Sequence, residues 1–121
     1  MDILIAEKNK ALGELIEYQC ASLDYGARWV PDGREALLEL QTKRFDLLIT
    51  ELLLPFYTGL EIIRYVNQAG RKQPPRKVVL TQITHEQTVQ KAFNLGIDDY
   101  ITKPLDMDFL MYRINKLLPY D

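Results

Sequence analysis

Short apolar runs alternate along the chain with longer stretches of helical period. The runs are Ile3-Leu4-Ile5-Ala6, Ala27-Arg28-Trp29-Val30, Leu47-Leu48-Ile49-Thr50, Val78-Val79-Leu80-Thr81 and Tyr100-Ile101-Thr102. Such brief runs, rich in aliphatic and β-branched residues, predict buried strands of a parallel sheet. Between them, apolar residues recur at helical spacing. Leu12, Leu15, Ile16 and Cys20 form one set, and Ala36, Leu37 and Leu40 a second. Leu60, Ile63 and Val66 form a third, Val89, Ala92 and Phe93 a fourth, and Leu110, Ile114 and Leu117 the last. Each set predicts one face of a helix.

Boundary chemistry agrees with these helices. Thr58-x-x-Glu61 and Thr84-x-x-Gln87 have capping-box spacing, and Asp32 is a good N-cap. Gly70 and Gly96 stand where helices should end, and Gly26 lies just before the second strand. Strand and helix therefore alternate along the whole chain. That is the signature of an α/β, doubly wound, five-stranded parallel sheet with five helices on its two faces.

Composition narrows the class further. With 121 residues, 47% hydrophobic and 26% charged, the chain reads as one globular domain over residues 1–121. Seventeen acids against fifteen bases give a net charge of −2, which excludes a strongly basic nucleic-acid surface. No apolar run approaches the roughly 18–20 residues of a membrane span. Met1-Asp2-Ile3-Leu4-Ile5 lacks the basic region of a signal peptide. The lone cysteine, Cys20, can form neither an internal disulfide nor a four-cysteine metal site. The expectation is a cytoplasmic protein.

In an open α/β sheet, chemistry gathers at the carboxyl ends of the strands, where strand order reverses. Glu7 and Lys8 follow the first strand here, and Glu51 follows the third. Thr81 ends the fourth strand, and Lys103-Pro104 follows the fifth. Two carboxylates, two amines and a hydroxyl are thus expected at one edge.

These segments carry a family resemblance. Ile3-Leu4-Ile5-Ala6-Glu7, the stretch 46–55 followed by Gly59-Leu60-Glu61, Val79-Leu80-Thr81 and Leu95-Gly-Ile-Asp-Asp-Tyr-Ile-Thr-Lys-Pro104 resemble response regulator receiver domains. Asp98-Asp99-Tyr100-Ile101-Thr102-Lys103-Pro104 is similar to the branch that precedes winged-helix DNA-binding domains. The resemblance implies a flavodoxin-like fold with strand order 2-1-3-4-5, and an aspartyl-phosphate switch that needs Mg²⁺. It places the phosphoacceptor at Glu51 and an acidic pocket at Glu7 and Lys8. It places the switch residues at Thr81, Tyr100 and Lys103.

Two positions depart from that pattern. Glutamate at 51 is one methylene longer than aspartate, so its carboxylate reaches more than about 1 Å further, to where a phosphoryl group would begin. Lysine at 8 supplies no lone pair to a metal and repels a cation. An ordinary site of three carboxylates, one lysine and Mg²⁺ sums to zero, and so do Glu7 and Glu51 against Lys8 and Lys103. The expectation is a self-neutralised network with no metal, no cofactor and no catalytic residue, in which Mg²⁺ binding is lost. A decayed site, a constitutively active-like site and a site switched by another input all remain open on the sequence.

Other residues refine the reading. His85 is the only histidine and sits in the first turn of a helix, where solvation is expected. Arg71, Lys72, Arg76 and Lys77 read as a solvated basic connection at the edge opposite the site. Trp29, on an edge strand, is expected to pack against helices. Beyond its core stripe the last helix carries Met107, Phe109, Met111, Tyr112 and Leu118, which predicts an exposed apolar patch. The resemblance implies a twofold dimer face of the fourth helix, fifth strand and fifth helix, involving Val89, Asp99, Phe109 and Arg113.

The expected function is a phosphorylation- and Mg²⁺-independent signalling receiver, not an enzyme, acting by protein–protein contact on its own output domain or a partner. Nucleic acid would be met only through a separate output domain. One alternative is a receiver phosphorylated at Glu51. Another is a nucleotide- or flavin-binding enzyme on the same fold, against which the absence of GxGxxG and GxxxxGK argues.

Overall fold

The structure is a computed structural model, and it describes residues 1–118. The sequence-predicted domain of 1–121 therefore ends three residues outside the described part. The elements run β1 (Asp2–Ala6), α1 (Lys10–Ser22), β2 (Gly26–Val30), α2 (Gly33–Thr42) and β3 (Leu47–Thr50). They continue α3 (Gly59–Gln68), β4 (Arg76–Thr81), α4 (Glu86–Asn94), β5 (Asp99–Thr102) and α5 (Met107–Leu117). All strand pairs are parallel, in the order β2-β1-β3-β4-β5. The order reverses between β1 and β3, so the crevice of this flavodoxin-like fold opens above Ala6 and Thr50, which are paired in register.

Strand alternation sorts the core into two layers. Leu4, Ala6, Leu48 and Val79 point to one face, where they meet Ala36 and Leu40 of α2, Ile62, Ile63 and Val66 of α3, and Ala92 of α4. Ile3, Ile5, Leu47, Ile49, Val78 and Leu80 point to the other, against Ile16 and Cys20 of α1 and Leu110 and Ile114 of α5. Each such aliphatic side chain contributes roughly 1.5–3 kcal/mol by leaving water. A charge at Ile49, buried under two helices, would break both that layer and the strand-end geometry built on it.

Caps form where short polar side chains were expected. Asp32 accepts from the Glu35 N–H at 2.8 Å. Thr58 and Glu61 form a reciprocal capping box. Gly70 and Gly96 adopt φ of 68° and 85°, the left-handed conformation that closes a helix. Gly26 lies inside β2 rather than just before it.

Several apolar assignments need correction. Leu15 is exposed because α1 packs through Gly13, Ile16 and Cys20, and Leu15 lies a quarter-turn away from that stripe. Phe93 is also exposed. Conversely, Met111 and Leu118 are buried beneath the sheet and do not belong to a surface patch. The Thr84 capping box does not form: α4 begins one residue later, with His85 at the N-cap and no side-chain cap bond. A tertiary contact sets that register, since the Tyr100 hydroxyl donates to the Ile83 carbonyl at 2.6 Å and fixes the preceding loop. Among the bases near the opposite edge, Lys77 belongs to β4 and is buried, so it is not part of a solvated loop.

Candidate functional site

Four strands deliver the residues. Glu7 leaves β1 with its N–H donating to the Val30 carbonyl (3.1 Å), and Glu51 leaves β3 with its N–H donating to the Ala6 carbonyl (2.9 Å). Thr81 ends β4 fully buried. The Lys103 N–H donates to the Thr81 carbonyl at 2.8 Å, which brings its side chain back over the crevice.

The centre is a three-residue ion cluster. Lys103 Nζ lies 2.9 Å from Glu51 Oε1 and 2.7 Å from Glu7 Oε1. Glu51 and Glu7 are only 3% and 1% exposed, so water screens these charges weakly. The contact to Glu51 is an aligned hydrogen bond. The contact to Glu7 is close but poorly aligned, so Glu7 Oε1 has no aligned donor among the described residues. Glu7 Oε2 accepts from the Asn9 N–H at 2.9 Å.

Glu51 does not project into the crevice as its length suggested. It curls back, and its Oε2 accepts from the backbone N–H groups of Leu52 (2.6 Å) and Leu53 (3.2 Å). Burial alone would raise the Glu51 carboxyl above its ordinary range. The nearby Thr81 hydroxyl, Lys103 and the Leu53 N–H together outweigh burial and hold it below that range. Burial would lower the Lys103 ammonium, but its close contacts with the Glu7 and Glu51 carboxylates prevail and raise it.

Lys8 corrects the expected charge balance. It is exposed and makes no ion pair with any described residue. Lys8 lies in a bend two residues beyond the end of β1, where its side chain reaches solvent. Desolvating a second ammonium would also be costly. The buried cluster is therefore two carboxylates around one ammonium. Lys8 stands at the rim of a cleft of about 210 Å³ lined by Glu7, Asn9, Glu51, Thr81 and Lys103.

A resident Mg²⁺ would need free carboxylate oxygens. Both oxygens of Glu51 are occupied, Glu7 is shared between Asn9 and Lys103, and Lys8 faces solvent. No group of three acidic, histidine or cysteine ligands is placed to hold a metal among the described residues.

Tyr100 turns toward the core, half-buried, with its hydroxyl on Ile83 and its ring 6.4 Å from Phe93. Burial, then the Glu51 charge, raises its phenol. Beside it, Arg113 pairs with Asp99 within the chain. Phe109 and Tyr112 are exposed on α5, while Val89 is half-buried. Asn9, the Leu52 and Leu53 amides and the Ile83 carbonyl were not singled out from the sequence. Only Asn9 carried a signal, as a helix N-cap: it accepts from the Leu12 N–H at 3.0 Å.

Comparison with known proteins gives a consistent picture. Residues 3–115 match the response regulator receiver domain model. The response regulator protein PmrA of Pseudomonas aeruginosa is 35% identical over 119 residues, covering 97% of this chain and 52% of that protein. The transcriptional regulatory protein DltR of Streptococcus agalactiae is 33% identical over 116 residues, covering 94% and 50%. The chain thus spans about half the length of the curated relatives it matches. In fold it is similar to the non-phosphorylated HemR receiver domain of Leptospira biflexa, with a TM-score of 0.90, 22% identity and coverage of 99% of this chain and 95% of that one. No helix of the described residues is long and apolar enough to cross a membrane.

Proposed function

The chain belongs to the response regulator receiver family, and from that premise we propose that it signals without Mg²⁺ and without a phosphoryl group. In this reading Glu51 takes the role of the phosphorylated residue. The single observation that carries it is the Glu51 carboxylate, held by Lys103 and by the Leu52 and Leu53 N–H groups. Those are the kinds of donor that would neutralise a phosphoryl group at the same strand end. Tyr100 turned inward onto Ile83 supports an active-like arrangement in which the hydroxyl and aromatic residues are already engaged. The module acts by protein contact rather than as an enzyme, and its setting is the cytoplasm.

The output is transcription, as the names of the regulatory relatives suggest. It passes through a DNA-binding domain attached to this module or carried by a partner. The α4–β5–α5 face, with exposed Phe109 and Tyr112, is the proposed homodimer surface.

Calorimetry with MgCl₂ plus beryllofluoride tests the central claim. Neither ligand should bind, and stoichiometric binding would overturn the proposal. Incubation with acetyl phosphate followed by mass spectrometry tests the rival. A phosphoryl adduct on Glu51 would establish an ordinary receiver with an unusual acceptor.

A further inference from the structure

Trp29 lies on the edge strand β2, yet its indole reaches the end of β1. Its Nε1–H donates to the Glu7 carbonyl at 2.8 Å. The neighbouring Val30 carbonyl accepts from the Glu7 N–H at 3.1 Å, so β2 holds both backbone polar groups of Glu7. The ring rests on α1 at Gly13, where an added Cβ would overlap Nε1 and the adjoining ring carbons. Glycine inside a helix costs about 1 kcal/mol relative to alanine, and the seat it leaves for the indole is what that cost provides. The backbone N–H of Trp29 is separately held by Glu17 Oε2 at 2.9 Å.

This matters because the Glu7 side chain is not self-anchored. Its carboxylate has one aligned donor, the Asn9 N–H, and its 2.7 Å contact with Lys103 lacks hydrogen-bond alignment. The place of that carboxylate therefore depends on where the Glu7 peptide is held.

We propose that Trp29, seated on Gly13, is a positioning residue for the Glu7–Lys103–Glu51 cluster, fixing the strand-end peptide from which Glu7 reaches Lys103. The inference rests on the reading of that cluster as the element holding the switch. Trp29 acts through Glu7 and touches neither Glu51 nor Lys103 by any hydrogen bond among the described residues.

The test is NMR of the full chain, with three variants. In the wild type the buried, paired Lys103 ammonium should give a slowly exchanging ¹⁵N–¹H signal, and the Asn9 amide should be protected. Trp29→Phe keeps an aromatic ring but removes the donor and the five-membered ring seated on Gly13. The Asn9 amide should then exchange roughly 2- to 12-fold faster, the scale of one lost hydrogen bond. The Lys103 signal should broaden away, while the Ile5 and Ile49 strand amides shift only with global stability. Gly13→Ala, which pushes the indole off its seat, should reproduce the pattern and carries the test if Trp29→Phe does not fold. Glu17→Ala removes the acceptor of the Trp29 backbone N–H, loosening the same strand without touching the indole, and should leave the Lys103 signal intact. A Lys103 signal that persists in Trp29→Phe and Gly13→Ala overturns the positioning role alone. So does a Glu17→Ala variant with the same local loss. Absence of the signal in the wild type overturns the cluster reading, and this inference with it.

Discussion

Replacing Lys103 with methionine keeps most of the side-chain volume and removes the ammonium. Two limits bracket the effect. A solvent-exposed ion pair contributes about 0–1 kcal/mol, whereas removing one partner of a buried pair costs about 3–5 kcal/mol. The side chains of Lys103, Glu7 and Glu51 are 12%, 2% and 4% exposed, which selects the second limit. In urea unfolding with a slope near 2 kcal/mol per M, that loss lowers the midpoint by about 2 M. Against the about 5–15 kcal/mol by which such domains are stable, that loss is a large fraction.

The pH dependence has a defined sign. In the wild type the Glu51 carboxyl is lowered by folding. Its contribution is present above the unfolded value near 4.3 and is lost as pH falls through the folded value. Lys103 is raised, so its contribution is full below the unfolded value near 10.4 and is lost as pH rises through the folded one. Without the ammonium, burial counts for more and the Glu51 carboxyl moves up from its wild-type value. The penalty of its buried charge is greatest at neutral pH and is relieved as pH falls. The gap between wild type and Lys103→Met should therefore narrow from pH 7 to pH 5. Adding Glu51→Gln should recover part of the loss. Far-UV dichroism and Trp29 fluorescence follow the transition. A gap below about 1 kcal/mol at pH 7, or one that stays constant to pH 5, would refute the picture of a weakly screened cluster.

Other outcomes follow from the same structure. The double change Lys8→Asp and Glu51→Asp should create saturable Mg²⁺ binding by calorimetry, and failure would show that these two positions do not set metal affinity. Tyr100→Phe removes the bond to Ile83 and should cost about 0.5–1.5 kcal/mol, with faster amide exchange in the loop before α4. Thr58→Ala dismantles the capping box and should cost about 0.5–2 kcal/mol in urea unfolding. Burial pushes the Cys20 thiol up to about 12, so Ellman's reagent should react with it only on unfolding. Phe109→Glu should abolish any concentration-dependent mass increase in light scattering, and a dimer that survives it uses another face.

The apolar runs and helical stripes were sufficient for element type, element order and fold class. Such periodicity reports which faces must leave water, and local sequence carries that information. Where it failed, a neighbour decided. Leu15 fell outside the helix stripe because Trp29 and the sheet chose Gly13, Ile16 and Cys20 instead. The start of α4 moved because Tyr100, far along the chain, holds Ile83.

The site divides the same way. The chain alone determined which chemical groups arrive at the strand ends: Glu7, Glu51, Thr81 and Lys103 converge as topology requires, and position 8 carries a base. Only tertiary structure decided how the charges pair. The sequence count of two acids and two bases balanced at zero, but the bend after β1 leaves Lys8 in solvent and one ammonium between two buried carboxylates. It also turned Glu51 back onto its own amides, where length alone suggested projection. Charges are fixed by composition. Their energies depend on direction, distance and exclusion of water, and those exist only once the strands are side by side.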